Sequence, residues 1–486
     1  MESVFLKLGM KLVHGIRDAY EKSATYRGIN HLKTALTNLF ATSMILRWLS
    51  DNSGLERAFR KSFMNSIAFE NKRASLKHFL LSSVLLRFLL DIRVLSVLVF
   101  IQIFSYIFLP TPLSVLLSVG LVAMMFLRRW IYEEGRRPKN LVVVGLYLLM
   151  LFFIVSYLFS PIKGDGLTIM IIYIATLLFA ATLLGTFGDR RFLEQMMHLF
   201  AGIVLLVGLH GIYQRIVGVP VDPAWLDESA GGSGIRIYSV FGNPNVFGEF
   251  LVLLLPIVFA GFNTFKNKWI KLIYAGIFAI GGLNVLLTLS RGSMLSLGFA
   301  IVLIIIFKDR KYLPLLVLGA FMSPYIVPES IIDRIMTVFR GGDTSTSYRM
   351  SIYTASIDML RDGFVEGVGL GNFKVLYKAY AYSAAKSFHA HNTPLMLFIE
   401  MGIMGMLAWG FYAFVWMREV FSAQKCKNAY SYYAFAAFAG VVGCSIQGMV
   451  DHIFHNYDIL FFYIIVMTFG VIAAKNAKDV ANEQEN

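Results

Sequence analysis

Cysteine and charge are both scarce in this sequence. Its 486 residues include two cysteines, Cys426 and Cys444, and only 15% of the residues are charged. Two cysteines without a C-x-x-C pair provide neither a disulfide framework nor a redox or metal motif, so we interpret both as packing residues. A cleavable signal peptide is not evident either, because charges interrupt the first 30 residues.

Several catalytic motifs are also missing. The sequence has no Walker A loop, no H-E-x-x-H and no G-x-S-x-G, so ATP hydrolysis, zinc proteolysis and serine-hydrolase chemistry lack support. The absence of D-x-D argues against a metal-dependent sugar-nucleotide transferase. The glycine run GVGLGNF (367–373) does not have the spacing of a dinucleotide fingerprint. It predicts a tight turn or a close backbone approach.

Apolar residues, by contrast, are abundant. They make up 57% of the chain, and the mean hydropathy is +0.65. Runs such as 141–160 continue for about 20 residues without a charge, which is the length of a membrane-spanning helix. The sequence therefore predicts an all-α polytopic membrane protein of about twelve transmembrane helices. The apolar segments are centred on 93–109, 111–127, 140–160, 167–187, 195–215, 246–262, 271–288, 293–307, 312–327, 394–416, 431–448 and 457–474.

The first 90 residues differ from the rest of the chain. They contain fourteen basic and six acidic residues, interleaved with apolar residues at helical spacing. This pattern predicts amphipathic helices on an anionic membrane surface, with nucleic-acid binding as the competing use of a basic arm. We therefore divide the chain into a basic cytoplasmic or membrane-surface segment (1–90), a transmembrane catalytic domain (91–474) and a cytoplasmic tail (475–486).

Basic residues also alternate between the predicted connections. The connections 128–140, 188–194, 263–271, 308–311 and 418–430 are rich in Lys and Arg, whereas the short connections on the other side contain only Lys163 and Arg291. By the positive-inside rule, both termini face the cytoplasm. Two longer loops, 217–245 and 328–393, then face outside.

Polar residues gather at the outer start of one apolar segment, in the stretch SFHAHNTP (387–394). Asn392 or Thr393 can cap a helix there, and Pro394 suits its first turn. His391 then precedes a helix N-terminus, where the helix dipole disfavours imidazolium, so we expect a neutral ring that can accept a proton. An interfacial histidine that merely hydrogen-bonds the backbone is the alternative.

Arginines are expected on the same side. Arg291 lies in the short turn TLSRGSML, close to the hydrocarbon, where a charge is costly unless it lines a polar cavity or meets an anion. With Ser290 as a cap, Arg291 and the helix N–H groups could bind a phosphate, although a snorkelling arginine is equally compatible. Further outer-side candidates for binding substrate are Arg236, Tyr238, Ser239, Asn243, Asn245, Arg334, Arg340, Ser347, Arg349, His389 and Asn392.

At this point the sequence resembles the O-antigen ligase/polymerase family. His391-Asn392, nine residues and then GIMG (402–405) reproduce the family signature H-[NSQ]-x9-G-x-x-G, and RIYSVFGNPNVFGEF, SRG, SYRMSIY and GVGLGNF are similar to further family blocks. The resemblance spans roughly residues 200–455. Residues 1–90 leave the subfamily open, while the length and basic character resemble teichuronic-acid-type polymerases of Gram-positive bacteria.

The resemblance implies a lipid-sugar-using glycosyltransferase fold of the GT-C-like kind. It implies metal-independent, inverting transfer or polymerisation of undecaprenyl-diphosphate-linked glycan on the outer face of the bacterial cytoplasmic membrane, for cell-surface polysaccharide and wall synthesis, without cofactors. His391 would be the base, with Arg291 and Arg349 on the diphosphate. The implied partners are the lipid-linked oligosaccharide donor, a glycan acceptor, the lipid bilayer and other polysaccharide assembly proteins, and no nucleic acid.

Two other activities stay open at this stage. One is oligosaccharide transfer to protein, because the sequence does not define the acceptor. The other is a glycolipid flippase or transporter, in which the arginines would bind without catalysing. Transporters carry their binding groups near the middle of the membrane, in matching half-repeats, whereas these charges gather at one face of an unrepeated chain, which favours an enzyme.

Overall fold

Every regular element in the described part of the chain is a helix. The structure is a computed structural model that describes residues 77–132, 140–220, 235–326, 344–381 and 387–485. Most of the predicted basic segment, as well as Arg334 and Arg340, lies outside the described residues. The α-helices are α1 (Val84–Leu89), α2 (Ile92–Ser105), α3 (Thr111–Tyr132), α4 (Leu141–Phe159), α5 (Gly166–Thr186), α6 (Arg190–Val217), α7 (Pro244–Thr264), α8 (Lys268–Leu287), α9 (Arg291–Phe307), α10 (Leu313–Ile326), α11 (Thr344–Asp362), α12 (Phe373–Tyr380), α13 (Thr393–Ser422), α14 (Ala429–Gln447) and α15 (Tyr457–Glu485).

The helices confirm a polytopic membrane protein. Nine helices in the described ranges are long and apolar enough to cross a membrane, or up to ten if the bent pair Arg291–Phe307 and Arg310–Gly319 is one span. Each of the twelve predicted apolar segments coincides with a helix, but α2 and α10, with 14 residues each, are shorter than the others. Twelve complete crossings therefore remain a prediction.

The path of the chain through α9 and α10 affects the number of membrane crossings. The start of α9 contacts the end of α14, where the Ser293 hydroxyl donates to Gln447 Oε1 at 3.0 Å. Helix α11 contacts the start of α13, which is joined to the same end of α14, because Thr393 N donates to Gly448 O at 2.7 Å. The chain therefore returns to this end between Phe307 and Thr344, and α10 is the apolar helix available for that crossing. We call this end of the helix bundle, which holds residues 387–392 and 448–456, the site end.

Helix α15 lies at the centre of the bundle. Its residues from Ile459 to Ala474 carry no charge, and all of them are buried. A helix that is apolar on every side has no face suited to water, so it packs among other helices. At the opposite end, α15 continues to Glu485, past the predicted boundary of the tail at 475. Asn476 and Ala477 are still buried against other segments of the protein.

Helix α13 is broken near its start. Gly402 has φ 65° and ψ −172°, a backbone conformation that is not helical and that is essentially restricted to glycine. A Cβ at Gly402 would lie 2.1 Å from the carbonyl oxygen of Val365, too close for any side chain. Beyond the break, Ile403 N donates to Phe364 O at 2.9 Å instead of to its own helix. The first segment of α13 is therefore a short separate helix, 393–401.

The carbonyl groups at the end of this short helix find partners outside it. Val368 N donates to Ile399 O at 2.8 Å. Glu400 O accepts from Gly369 N at 3.1 Å and from the Ser156 hydroxyl at 2.7 Å. These bonds replace the intrahelical bonds that the break removes, since a buried carbonyl without a partner is costly.

The glycine run beside the break forms the predicted tight turn. Gly367, Gly369 and Gly371 all have positive φ. A Cβ at Gly367 would lie 2.5 Å from Glu400 O, so the backbones touch directly. The prediction of a close backbone approach is confirmed. Gly367 of this run and Gly402 of the H-N-x9-G-x-x-G signature lie in backbone segments that touch, so neither position has room for a side chain.

We expect Gly402→Ala to destabilise the protein. A positive-φ conformation costs a non-glycine residue about 1–3 kcal/mol, and the Val365 carbonyl is backbone that cannot rotate away. Gly410→Ala is the matched control, because it lies on the same helix with open space around it. Thermal unfolding in lipid nanodiscs should give a clearly lower midpoint for Gly402→Ala alone, and equal midpoints would contradict the assigned break.

Helices α11 and α12 cover the site end with a small hydrophobic core of their own. Its buried members come from α11, the glycine turn, α12 and the first segment of α13, and they include Ile352, Met359, Phe373, Tyr377 and Ile399. This core fixes α11, the glycine turn and α12, which are described parts of the predicted outer loop 328–393, onto the start of α13. It thereby places the side chains of α11 beside His391.

Candidate active site

Asn392 caps the first segment of α13, as one of the two predicted alternatives. Its Oδ1 accepts from Leu395 N at 2.9 Å, and Pro394 lies in the first turn. Its Nδ2 donates to Met449 O at 2.8 Å. Asn392 thus uses both ends of its amide to join the start of α13 to the turn after α14, which favours a structural role for this residue.

His391 adopts a backbone conformation that is unusual for a residue with a side chain. Its φ is 47°, and its carbonyl oxygen accepts from the Tyr353 hydroxyl of α11 at 3.0 Å. Such left-handed geometry is held only where the surroundings fix it. The edge of the Tyr348 ring packs against the imidazole, with 6.2 Å between ring centroids.

Asp451 orients the imidazole of His391. His391 Nδ1 lies 3.3 Å from Asp451 Oδ1, which also accepts from His452 N at 2.8 Å. Burial acts to raise the pKa of Asp451, but the hydrogen bond and charge of His391, together with the charge of Arg349, hold it below its usual range. An ionised carboxylate only accepts hydrogen bonds, so His391 Nδ1 is assigned the proton that it donates to Asp451, and the neutral form of this ring would have its lone pair on Nε2.

Three further histidines surround this pair. The ring of His389 lies 4.1 Å from that of His391, 4.7 Å from His455 and 5.7 Å from His452. Burial, followed by the charge of His391, lowers the pKa of His389 to about 3, so its ring is neutral. His391 N donates to His389 Nδ1 at 3.3 Å, which assigns the His389 proton to Nε2. Four of the nine histidines in the chain therefore meet at one corner of the site end.

Arg349 reaches this corner from α11. It lies close enough to Asp451 for its charge to help lower the pKa of that carboxyl. Ser347 belongs to the same helix, two residues earlier. The structure thus brings together Arg349, His389 and His391, which are separated by about 40 residues of sequence.

Arg291 begins α9, next to the end of α14. Ser290 is the N-cap of α9, as predicted, and its hydroxyl accepts from Ser293 N at 3.4 Å. The Ser293 hydroxyl contacts Gln447 Oε1 at 3.0 Å, and Gln447 Nε2 donates to Glu249 Oε1 at 3.0 Å. This buried chain of polar groups positions the start of α9 against the residues that precede Asp451.

The predicted binding residues of the first outer loop are largely occupied by protein contacts. Arg236 Nε donates to Thr288 O at 2.9 Å, and its Nη2 donates to Asn245 Oδ1 at 2.9 Å. Asn243 caps α7, since its Oδ1 accepts from Asn245 N at 2.8 Å. Arg236 therefore fastens the loop to the turn that leads to Arg291.

Tyr238 and Ser239 lie further along this loop, against α6. Ser239 is buried with φ 50°, and its hydroxyl donates to Val207 O at 2.7 Å. Gln214 Oε1 accepts from the backbone N–H groups of both Tyr238 and Ser239. These bonds favour a turn-holding role for Ser239 over a direct role with substrate.

Sequence analysis did not identify Asp451, Gln447 or Glu249 as site residues. Asp451 lies in the connection DHIFHNYD (451–458), which contains two histidines and two aspartates between apolar helices. That density of ionisable groups at a membrane face was a signal of function that could have been used. The pairing with His391 depends on a contact between residues 60 positions apart, which local patterns do not contain.

A metal ion could also be held at this corner. His389, His391 and Asp451 each offer one ligand atom, and these atoms lie within 4.8 Å of one another. Two imidazoles and a carboxylate are a ligand set that suits zinc and similar divalent ions. The expectation of metal-independent chemistry therefore stays a prediction, which the effect of a chelator on glycan transfer can test.

Residues 276–410 match the family model described as O-antigen ligase. The matched segment contains Arg291, Arg349 and His391, together with the glycine turn and the break at Gly402. A comparison with curated proteins finds no match. The chain is therefore a multi-pass membrane protein with a segment that is similar to the O-antigen ligase family.

Proposed function

We propose that this protein transfers a glycan from an undecaprenyl-diphosphate carrier to a hydroxyl of an acceptor glycan. The family implies, at a coarse level, a glycosyltransferase-like enzyme that joins or polymerises glycans for cell-surface polysaccharide. The observation that carries the finer proposal is the Asp451–His391 pair. It supplies an imidazole that can accept a proton, close to Arg349 and at the same end of the bundle as Arg291, and both arginines are suited to phosphate.

The proposed reaction uses His391 as general base. Its Nε2 takes the proton of the acceptor hydroxyl while the oxygen attacks the anomeric carbon from the side opposite the diphosphate. The bond from that carbon to the phosphate oxygen breaks, and its electron pair leaves with undecaprenyl diphosphate, so the configuration inverts. Asp451 stabilises the imidazolium that forms, and the proton then passes to solvent or to the released diphosphate.

Arg291 and Arg349 act on the leaving group in this proposal. A diphosphate gains negative charge as the glycosidic bond breaks, so positioned guanidinium groups help more in the transition state than in the ground state. Arg349 lies beside Asp451 and Arg291 begins α9 at the same end of the bundle, a placement that supports this assignment. Arg236 would hold the loop beside Arg291.

We further propose that the site end faces the outside of the bacterial cytoplasmic membrane. The opposite end of the bundle carries the clusters of basic residues, including Arg190, Lys308, Arg418 and Lys475, as the positive-inside rule requires for a cytoplasmic face. Arg361→Cys should react with a membrane-impermeant maleimide in intact cells. Arg191→Cys should react only after permeabilisation, and the reverse pattern would refute this orientation.

The function is tested with purified protein in nanodiscs, an undecaprenyl-diphosphate-linked oligosaccharide and an acceptor glycan. We expect free undecaprenyl diphosphate to appear at the same rate with and without a chelator, and only when acceptor is present. Release that stops with chelator would instead indicate a metal bound by His389, His391 and Asp451. Movement of intact glycolipid across the membrane without any release would indicate a flippase.

A further inference from the structure

A second feature of the site end is a cavity that is lined in part by two of the four clustered histidines, His452 and His455. It has a volume of about 390 Å³ and lies between the start of α5, α12, the first segment of α13 and the connection before α15. This volume suits a ligand the size of one or two sugar rings. Its lining includes Asp165, Phe373, Lys374, Glu400, His452 and Phe454.

The charge of the cavity does not suit a diphosphate. Two carboxyl groups, Asp165 and Glu400, line it, and Lys374 already pairs with Asp165. Among the residues that line the cavity in the described part of the chain, none is an arginine. A phosphate would find no guanidinium partner among these lining residues, whereas a hydroxyl-rich or amino-bearing ligand could form hydrogen bonds with the two carboxyl groups.

Two buried polar groups in the lining point to such a ligand. His452 is 8% exposed, and its Nδ1 has no hydrogen-bond partner within the described residues. Glu400 is 5% exposed, and its Oε1 accepts from Gly371 N at 2.8 Å, which uses part of the acceptor capacity of the carboxylate. Buried polar atoms without partners are rare in native proteins, so a ligand with hydroxyl groups would complete both residues.

Aromatic rings supply the remaining surface. Phe373 and Phe454 are buried in the wall, and Phe388 stands 70% exposed at its edge. The C–H faces of a pyranose ring are apolar, so they can pack on such rings while the hydroxyl groups reach the polar side chains. The combination of rings, carboxylates and a histidine fits a sugar better than a lipid chain.

The cavity also lies next to the proposed base. His452 and His455 line it, and both rings contact the ring of His389, which lies 4.1 Å from His391. One imidazole ring therefore separates the cavity from His391. If one sugar of a glycan is bound in the cavity, the next sugar of the same glycan could reach His391.

We propose that this cavity binds a sugar residue of the acceptor glycan next to the His389–His391 pair. This inference rests on the proposed function for its assignment to the acceptor. The binding of a sugar by the cavity rests on the lining alone. The two parts can therefore be tested separately.

The binding part is tested by saturation-transfer NMR on the full-length protein in nanodiscs, with methyl glycosides of glucose, galactose and N-acetylglucosamine as probes. Thr168→Trp places a bulky side chain from an exposed lining position of α5 into the cavity, and it should abolish saturation transfer. Leu167→Trp is the matched control, since Leu167 is 45% exposed on the same turn and does not line the cavity. Saturation transfer that persists in Thr168→Trp would overturn the proposal.

A second variant covers the case in which Thr168→Trp fails to fold. Glu400→Gln places an amide oxygen where the carboxyl oxygen accepts from Gly371 N, so it should retain its unfolding midpoint. The change from a carboxyl to an amide group should weaken binding of the methyl glycosides about tenfold. Equal affinity of Glu400→Gln and the unaltered protein would count against the sugar site.

The acceptor assignment is tested by kinetics with both substrates varied. Thr168→Trp should raise KM for the acceptor about tenfold or more while KM for the lipid-linked donor stays within about twofold. A rise in the donor KM alone would overturn the assignment. A third outcome separates the two proposals. If Thr168→Trp loses sugar binding but the unaltered protein transfers no glycan, the sugar site is supported and the proposed function is refuted.

Discussion

Replacing His391 by alanine should lower glycan transfer by about 100-fold to 10,000-fold while the protein remains folded and inserted, because a positioned general base contributes about that much. The reason is the tautomer assigned by Asp451, which leaves Nε2 as the group that accepts a proton. The measurement is the initial rate of undecaprenyl diphosphate release at saturating donor and acceptor, at equal amounts of purified protein.

Two further variants show how much the neighbours of His391 contribute to the rate. Asp451→Asn keeps the shape of the side chain but removes a charge-assisted hydrogen bond of about 1.5–3 kcal/mol, so we expect a smaller loss of about 10-fold to 100-fold. His389→Ala should have the smallest effect, because His389 contacts His391 but lies one ring further from the base. Equal rates for His391→Ala and the unaltered protein would remove His391 from the mechanism.

Arg291→Lys and Arg349→Lys should each separate turnover from binding. Lysine keeps the charge but loses the planar, two-pronged guanidinium that matches phosphate oxygens. Stabilisation of charge that develops in the transition state is worth about 10²–10³ in rate, so kcat should fall by about 100-fold for each variant. The affinity for lipid-linked donor should weaken only about threefold to tenfold, since the ground state demands less of the arginine.

Arg361→Lys is the matched control for Arg349→Lys. It lies on the same helix, α11, with a side chain 75% exposed and paired with Asp358 at 2.9 Å, so it should leave both constants unchanged. Donor affinity and turnover that fall together by the same factor in the Arg349 and Arg291 variants would indicate simple binding. That outcome would favour a transporter or a passive lipid site over an arginine-assisted reaction.

Local sequence signals predicted much of this molecule. Apolar runs coincide with helices because lipid and a helical interior demand the same residues over the same length. Asn392, Pro394 and Ser290 could be recognised because capping depends on a few neighbouring positions. The sequence signature indicated that a glycine is required at position 402. It could not predict the helix break there, because the break depends on the nearby carbonyl of Val365.

Other parts of the site depend on contacts between distant segments. Asp451 meets His391 only because the turn after α14 is fastened to the start of α13 by Asn392 and Thr393. Arg236 resembles a substrate-binding residue in sequence, yet the structure turns its guanidinium toward Thr288 and Asn245. A polar residue at a membrane face indicates that something will be bound, but it does not show whether the partner is substrate or protein.

The break at Gly402 also bears on how the enzyme responds to its lipid. A continuous helix would carry any change in tilt from the bilayer directly to the residue before its first turn. Here the segment 393–401 is fastened to α11, the glycine turn and the end of α14, while the rest of α13 begins beyond the break. His391 should therefore keep its place when the bilayer becomes thicker or thinner, so catalysis should tolerate a wide range of acyl-chain lengths.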